Sequence, residues 1–134
     1  MKLPHAKAPT EHVEQIRLMQ MVRLHAARFP MLKNLTAIPN GGHRNKAVAG
    51  KLKAEGVSRG YPDLLLDWPA QGFHGLRIEI KRQDATPSDT KPEQREWHRR
   101  LEDAGYRVEV CKGWEAAWAI IVDYLGLGVW GVKS

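Results

Sequence analysis

The sequence predicts an α/β domain in which a central mixed β-sheet is flanked by helices. Residues 76–81 alternate Leu76, Ile78 and Ile80 with Arg77, Glu79 and Lys81, the period of a strand. Segments with helical periodicity lie on both sides of it in the chain, and the remaining apolar runs are short and bounded by Gly, Pro and Asp. At 134 residues the chain fits one domain. A domain of this size buries roughly two thirds of its unfolded surface and needs no disulfides.

The elements follow in order. Residues 1–10, with two prolines, read as a flexible N-terminal arm, and 11–134 as the domain. Thr10 is a plausible N-cap for a helix reaching about Phe29, which Pro30 ends. On it Glu11, Gln15, Leu18 and Val22 share one face, and Glu14, Leu18, Met21 and His25 an overlapping one. Leu35 to Ile38 is a candidate short strand. Pro39-Asn40-Gly41-Gly42 is a turn cluster, with His43, Arg44 and Lys46 behind it. Asn45 to Glu55 reads as a second helix closed by Gly56. Asp63 to Asp67 is a short apolar strand, and 76–81 is the clearest one. A polar loop over 83–91 leads to Pro92, which suits the first position of a third helix ending at Gly105. Tyr106 to Cys111 alternates as a strand. Trp114 to Leu125 forms a last helix, stopped by Gly126. The order is α, (β), α, β, β, α, β, α.

Composition narrows the function. The net charge of +6 favours polyanionic partners, of which nucleic acid is the commonest. The single cysteine, Cys111, cannot form an internal bridge and reads as a buried thiol in a reducing compartment, so a cytoplasmic location is expected. No stretch approaches the roughly 20 apolar residues of a membrane span. Five tryptophans is high for this length; Trp97, Trp114 and Trp118 fall at helical spacings and read as packing residues. His43 and His74 lack zinc-site spacing with a cysteine pair and read as loop residues.

The informative constellation is Gly60-Tyr61-Pro62-Asp63 followed by Glu79-Ile80-Lys81. Residues two apart on a strand point the same way, so Glu79 and Lys81 leave one face while Ile78 and Ile80 anchor the other. Asp63 opens the preceding strand, and a hairpin pairing brings it beside Glu79. Two converging carboxylates form a hard-oxygen site suited to Mg²⁺ or Mn²⁺, with the carbonyl of Ile80 a further ligand. Such a metal lowers the pKa of a bound water and offsets phosphate charge, and Lys81 would orient or help deprotonate that water. Glu-x-Lys alone is commonplace as a solvated ion pair worth roughly 0–1 kcal/mol; Pro-Asp upstream on an adjoining strand is what gives the pattern weight.

Pro-Asp…Glu-x-Lys resembles the signature of the PD-(D/E)xK nuclease superfamily. More closely, the chain resembles the virus-type replication-repair nuclease domains, the VRR-NUC family. The resemblance is carried by Glu11-His-Val-Glu-Gln15, Ala37-Ile-Pro-Asn-Gly-Gly42, Leu52-Lys-Ala-Glu-Gly-Val57, Gly60-Tyr-Pro-Asp63, Gly75-Leu-Arg-Ile-Glu-Ile-Lys81, Gln94 and Gly105-Tyr106. These span about residues 11–125; Tyr61 stands where the family usually has a small or aliphatic residue. The resemblance implies a restriction-endonuclease-like fold. It makes Asp63 and Glu79 metal ligands, Lys81 the catalytic lysine and Gln94 a site glutamine. A first-helix glutamate completes the site: Glu11 matches best and Glu14 is its rival. Arg44, Lys46, Lys51, Arg59, Arg82 and Lys91, in or near flanking loops, are candidates for phosphate contact.

Lone-domain members of the family from phages resemble homodimeric enzymes that cut four-way DNA junctions. The expectation is therefore a Mg²⁺/Mn²⁺-dependent endonuclease acting on branched DNA, Holliday junctions in particular, as a homodimer in a bacterial or phage-infected cell. A two-fold dimer would place two sites on two strands, and the apolar, Gly-broken segment Leu125 to Trp130 is a candidate for its interface or for packing on the sheet. Two alternatives stay open: a non-catalytic DNA-binding module, and a restriction-type endonuclease reading a base sequence.

Overall fold

Strand β3 (Leu76–Lys81) is the axis of the fold, and all six of its residues are buried. The computed structural model describes residues 7–39 and 46–128. The turn cluster with His43 and Arg44, most of the N-terminal arm, and Trp130 lie outside the described residues. β1 (Leu35–Ala37), β2 (Leu64–Leu66), β3 and β4 (Arg107–Lys112) form one sheet in the order β1-β2-β3-β4. β1–β2 and β2–β3 are antiparallel, whereas β3–β4 is parallel. The sheet is mixed, as the sequence predicts. The parallel pair needs a crossover, and α3 (Pro92–Asp103) supplies it.

The two faces of β3 divide the molecule. Leu76 and Ile78 pair with Leu66 and Leu64, and Ile80 with Cys111. This apolar face is covered by α1 (Glu11–His25) and α4 (Trp114–Leu125), which also pack on each other. Leu18, Val22, Trp118, Ile121 and Val122 complete the core. Each such side chain stabilises the fold by about 1.5–3 kcal/mol when fully buried. The opposite face carries Arg77, Glu79 and Lys81, and α3 packs against the neighbouring β4. α2 (Lys46–Ala54) has no buried residue and contacts no other named element among the described residues.

The main departure from the expected element boundaries is at the end of the first helix; the other elements agree to within one or two residues. The first helix stops at His25 rather than near Phe29, and Pro30 opens a 3-10 helix, Pro30–Asn34. Proline disfavours the helical conformation in the residue before it; Phe29 stands at φ −124°, ψ 83°, and His25 Nδ1 pairs with the Met21 carbonyl at 2.9 Å in the last turn. The buried stripe of α1 is Glu14–Leu18–Val22, so Glu11 does not share the buried face with Leu18. Of the segment beginning at Leu125, Leu127 is buried in the core and Leu125 packs against it, following the left-handed Gly126 that caps α4. Trp118 is buried, Trp114 packs on the core and Trp97 meets Tyr61 edge to face. No helix among the described residues is long and apolar enough to cross a membrane.

Cys111 is buried with its thiol pushed up to about 12, chiefly by loss of solvation. The native protein is expected to leave a thiol reagent such as Ellman's unreacted at pH 8, with one equivalent released on denaturation; prompt native reaction would contradict the burial.

Candidate active site

The register of β2 on β3 places Asp63, the residue before β2, opposite Glu79. The backbone N–H of Ile80 donates to Asp63 Oδ2 at 2.8 Å. The Asp63 carbonyl accepts from Ile38 N at 2.8 Å, so the residue is held from both sides at the strand's mouth. N–H and C=O of one strand residue point the same way; the Ile80 carbonyl therefore faces the same side of β3 as Asp63.

Glu79 is 3% exposed and Asp63 half-buried, and the two carboxyls bond to each other. Two carboxylates cannot both ionise cheaply there. Burial first, then the bond to Glu79 and its negative charge, push the Asp63 carboxyl up to about 8. Glu79 is also raised, principally by burial. The pair holds a proton between its members near neutral pH. Glu79 Oε1 is buried without a hydrogen-bond partner.

Lys81, 6% exposed, sends its ammonium to the far side of the site. Nζ donates to the Asp89 carbonyl at 3.0 Å and to Gln94 Oε1 at 3.1 Å. Gln94 is the third residue of α3, and its Oε1 also accepts from Lys91 N at 2.8 Å. The bond to Lys91 is half of a capping box, so one side chain both caps α3 and holds Lys81. The docking of this helix is close: Gly60 has φ +85°, and a Cβ there would lie 2.6 Å from the backbone carbon of Glu93.

A cleft of about 630 Å³ opens beside Lys81 and Gln94, lined also by Glu11, Arg82, Asp84, Asp89 and Lys91 but not by Asp63 or Glu79. Glu11 is thus in the cleft, its carboxyl raised mainly by burial and felt by both Lys81 and Asp63. Glu14, one turn on, is fully buried and accepts from Gln83 Nε2 at 2.9 Å instead. Among the described residues no three His, Cys, Asp or Glu side chains stand close enough to enclose a metal ion; Asp63 and Glu79 are brought together, and Glu11 stays at the rim. The hard-oxygen donors, the shared proton and the orphaned Glu79 oxygen all fit a divalent cation that would displace that proton.

The family is decided by comparison as well as by geometry. The VRR-NUC domain family matches residues 11–115. A solved structure of a VRR-NUC domain protein is 31% identical, with a TM-score of 0.74 over 96% of this chain and 98% of that one. The chain belongs to the VRR-NUC family. No curated protein matches it. VRR-NUC membership makes it a nuclease domain, for which DNA is the implied substrate, of a family that generally uses divalent metals.

The candidate phosphate contacts of this VRR-NUC domain divide into two groups. Arg82 and Lys91 line the cleft, Arg82 bonded to Asp84 at 3.0 and 3.1 Å. Lys46 and Lys51 are exposed on α2 and Arg59 on the turn after it. His74 is a loop residue packed on Gly105 and Tyr106. Sequence reasoning missed two residues of the polar face. Arg77 is buried beneath the site, over the Tyr106 ring at 4.3 Å, paired with Asp67 at 3.3 Å and donating to Tyr61 Oη at 3.2 Å. His98 faces Glu79 from α3. Its signal was available: His98 follows Gln94 by four residues, one helical turn.

Two outcomes follow from this geometry. Because the folded protein binds a proton at Asp63 that the unfolded chain releases above about 4, stability without metal should fall as pH rises from about 4 to 8. In EDTA, Asp63→Asn should remove much of that slope and raise Tm at pH 8, measured by thermal melts; an unchanged slope would contradict the shared proton. Gly60→Ala forces both a left-handed alanine and a backbone collision, so urea unfolding should show a loss of about 1–3 kcal/mol or more; a loss below about 0.5 kcal/mol would exclude the close docking.

Proposed function

We propose that this VRR-NUC domain is a Mg²⁺- or Mn²⁺-dependent endodeoxyribonuclease. The observation that carries the reading is the Asp63–Glu79 pair at the mouth of β2 and β3, with an unpartnered buried oxygen on Glu79, two residues along β3 from Lys81. Asp63, Glu79 and the Ile80 carbonyl would hold the cation, with Glu11 contributing from the rim. Bound there, a divalent cation supplies Lewis acidity toward a phosphate oxygen and a water of lowered pKa.

The chain's own residues do the rest. The Ile80 N–H fixes the Asp63 carboxylate. Lys81 offers a positive charge and a proton donor to a phosphate or to the attacking water, and offsets charge developing on the phosphorus oxygens. Gln94 keeps its amide oxygen on the Lys81 ammonium, which limits the rotamers that a long side chain would otherwise sample. Arg82 and Lys91 at the cleft, together with the exposed Lys46, Lys51 and Arg59, would grip flanking phosphates and supply salt-dependent affinity, a role also proposed for Arg44, which lies outside the described residues.

The finer reading is branched DNA, a four-way junction, cut by a homodimer. One domain carries one such constellation, so symmetric incision of two strands calls for two copies. Ile16 and Leu24, two turns apart on the outer side of α1, are exposed apolar side chains available to a partner copy.

The test is cleavage of a labelled four-way junction, a linear duplex and a flap in Mg²⁺ or Mn²⁺. Paired symmetric nicks in the junction are expected, lost with Asp63→Ala and reduced about 10²–10³-fold or more with Lys81→Ala. Flap cutting alone would keep the chemistry and overturn the junction. Cutting of plain duplex at a fixed sequence would favour a restriction-type enzyme. Binding with no cutting in either metal would leave a DNA-binding module.

A further inference from the structure

His98 and Glu79 present the one arrangement at the site that neither strand pairing nor the Lys81 contacts explain. His98 is 9% exposed and Glu79 3%. His98 Nε2 and Glu79 Oε1 are both buried, both lack a hydrogen-bond partner, and lie 3.6 Å apart. Two orphaned polar atoms facing each other each bear a desolvation penalty that their union would relieve. At 3.6 Å the contact is too long for a hydrogen bond. A displacement of about half an ångström closes it, and catalytic-site hydrogen bonds commonly tighten when a site is loaded.

We propose that His98 is a positioning residue for Glu79: its Nε2–H donates to Glu79 Oε1 and holds the carboxylate so that its second oxygen stands toward Asp63 and the cation. This rests on the reading that the Asp63–Glu79 pair binds a divalent ion. With a cation bound, the imidazole N–H would meet the Glu79 carboxylate with a charge-assisted bond. Either protonation state of the ring can donate from Nε2, so the role does not depend on its titration. Burial holds His98 below the usual histidine range and favours the neutral ring. A neutral ring adds no positive charge beside the cation.

The placement also gives α3 two functions at one site. Gln94 takes Lys81, and His98, one turn later on the same side of the helix, takes Glu79. Lys81 and Glu79 are two residues apart on β3 and project from the same face. The helical turn and the strand period thus match, and the docking of one helix sets the lysine and the carboxylate together.

The experiment is Mn²⁺ binding to the full chain, followed by EPR of the free aqua ion, with His98→Leu, His98→Gln and His98→Asn beside Asp63→Ala. Outer contacts that orient a metal ligand are worth about 10–100-fold in affinity. His98→Leu is expected to weaken Mn²⁺ binding by that amount. His98→Gln, whose amide N–H reaches the Nε2 position, should recover most of it, and His98→Asn, whose amide is too short, should not. The Gln–Asn contrast serves if the leucine variant fails to unfold cooperatively. Equal affinity in intact protein and His98→Leu, or in the Gln and Asn variants, overturns the proposal while leaving the metal site standing. Pulsed EPR showing a directly bonded imidazole nitrogen that His98→Gln removes would make His98 a ligand, and overturn it differently. Intact protein that binds Mn²⁺ no better than Asp63→Ala would overturn the metal reading itself and this inference with it.

Discussion

The site depends on the β2–β3 register, which keeps two carboxyl groups side by side, one buried and one half-buried. Nothing about a sheet requires this, and it is costly: burial and mutual repulsion both oppose ionisation of the Asp63–Glu79 pair. The arrangement persists because it is fixed by backbone rather than by side-chain choice. The β2–β3 register sets the two residues opposite each other, and the Ile80 N–H and Ile38 N–H pin Asp63 from two strands. Slipping the register by one residue would turn Leu64 and Leu66 out of the core, so the apolar face enforces the geometry of the polar one.

That coupling of the two faces explains why every residue of β3 is buried. On one side Leu76, Ile78 and Ile80 are ordinary core. On the other, each polar group must find a partner or remain a liability. Arg77 is fully engaged by Asp67, Tyr61 Oη, the Leu76 carbonyl and the Tyr106 ring, and Lys81 by Asp89 and Gln94. Among the described residues three buried side-chain atoms are left without a hydrogen-bond partner: Glu79 Oε1 and His98 Nε2 at the site, and Glu14 Oε1 on α1. Two of the three face each other at the site, and functional sites commonly give up local stability where a ligand will act.

Much of this was legible in the sequence, for particular reasons. The strand period exposed β3, and Pro62-Asp63 ahead of it made the pairing of Asp63 with Glu79 a matter of register. Pro92 fixed the start of α3 and thereby put Gln94 at its third position. Spacing could not separate Glu11 from Glu14, because three residues along a helix leave both near one side; tertiary packing separates them, sending Glu14 under Gln83 and Glu11 into the cleft. His98 was hidden for a related reason. Its spacing from Gln94 was plain, but which side of α3 meets the sheet is set by the Gly60 loop lying against the Glu93–Gln94 backbone. The premature end of α1 reflects the constraint of Pro30 on the residue before it, joined to a 3-10 turn that no periodicity announces.

Charge adds a constraint that the +6 total conceals. Three acidic and three basic side chains line the cleft, Arg82 among them already paired with Asp84, and the Asp63–Glu79 pair lies beneath. The excess of positive charge therefore sits elsewhere, on α2 and the outer surface. A polyanion approaching this protein is drawn to the periphery and meets no net attraction at the centre. Coulomb repulsion between a phosphate and a buried carboxylate is weakly screened at such a depth. On the proposed reading, the cation is thus needed for electrostatic reasons before it is needed for chemical ones: it converts the centre from indifferent or repulsive to attractive, while the distant lysines hold the strand in place without favouring any one phosphate over its neighbours.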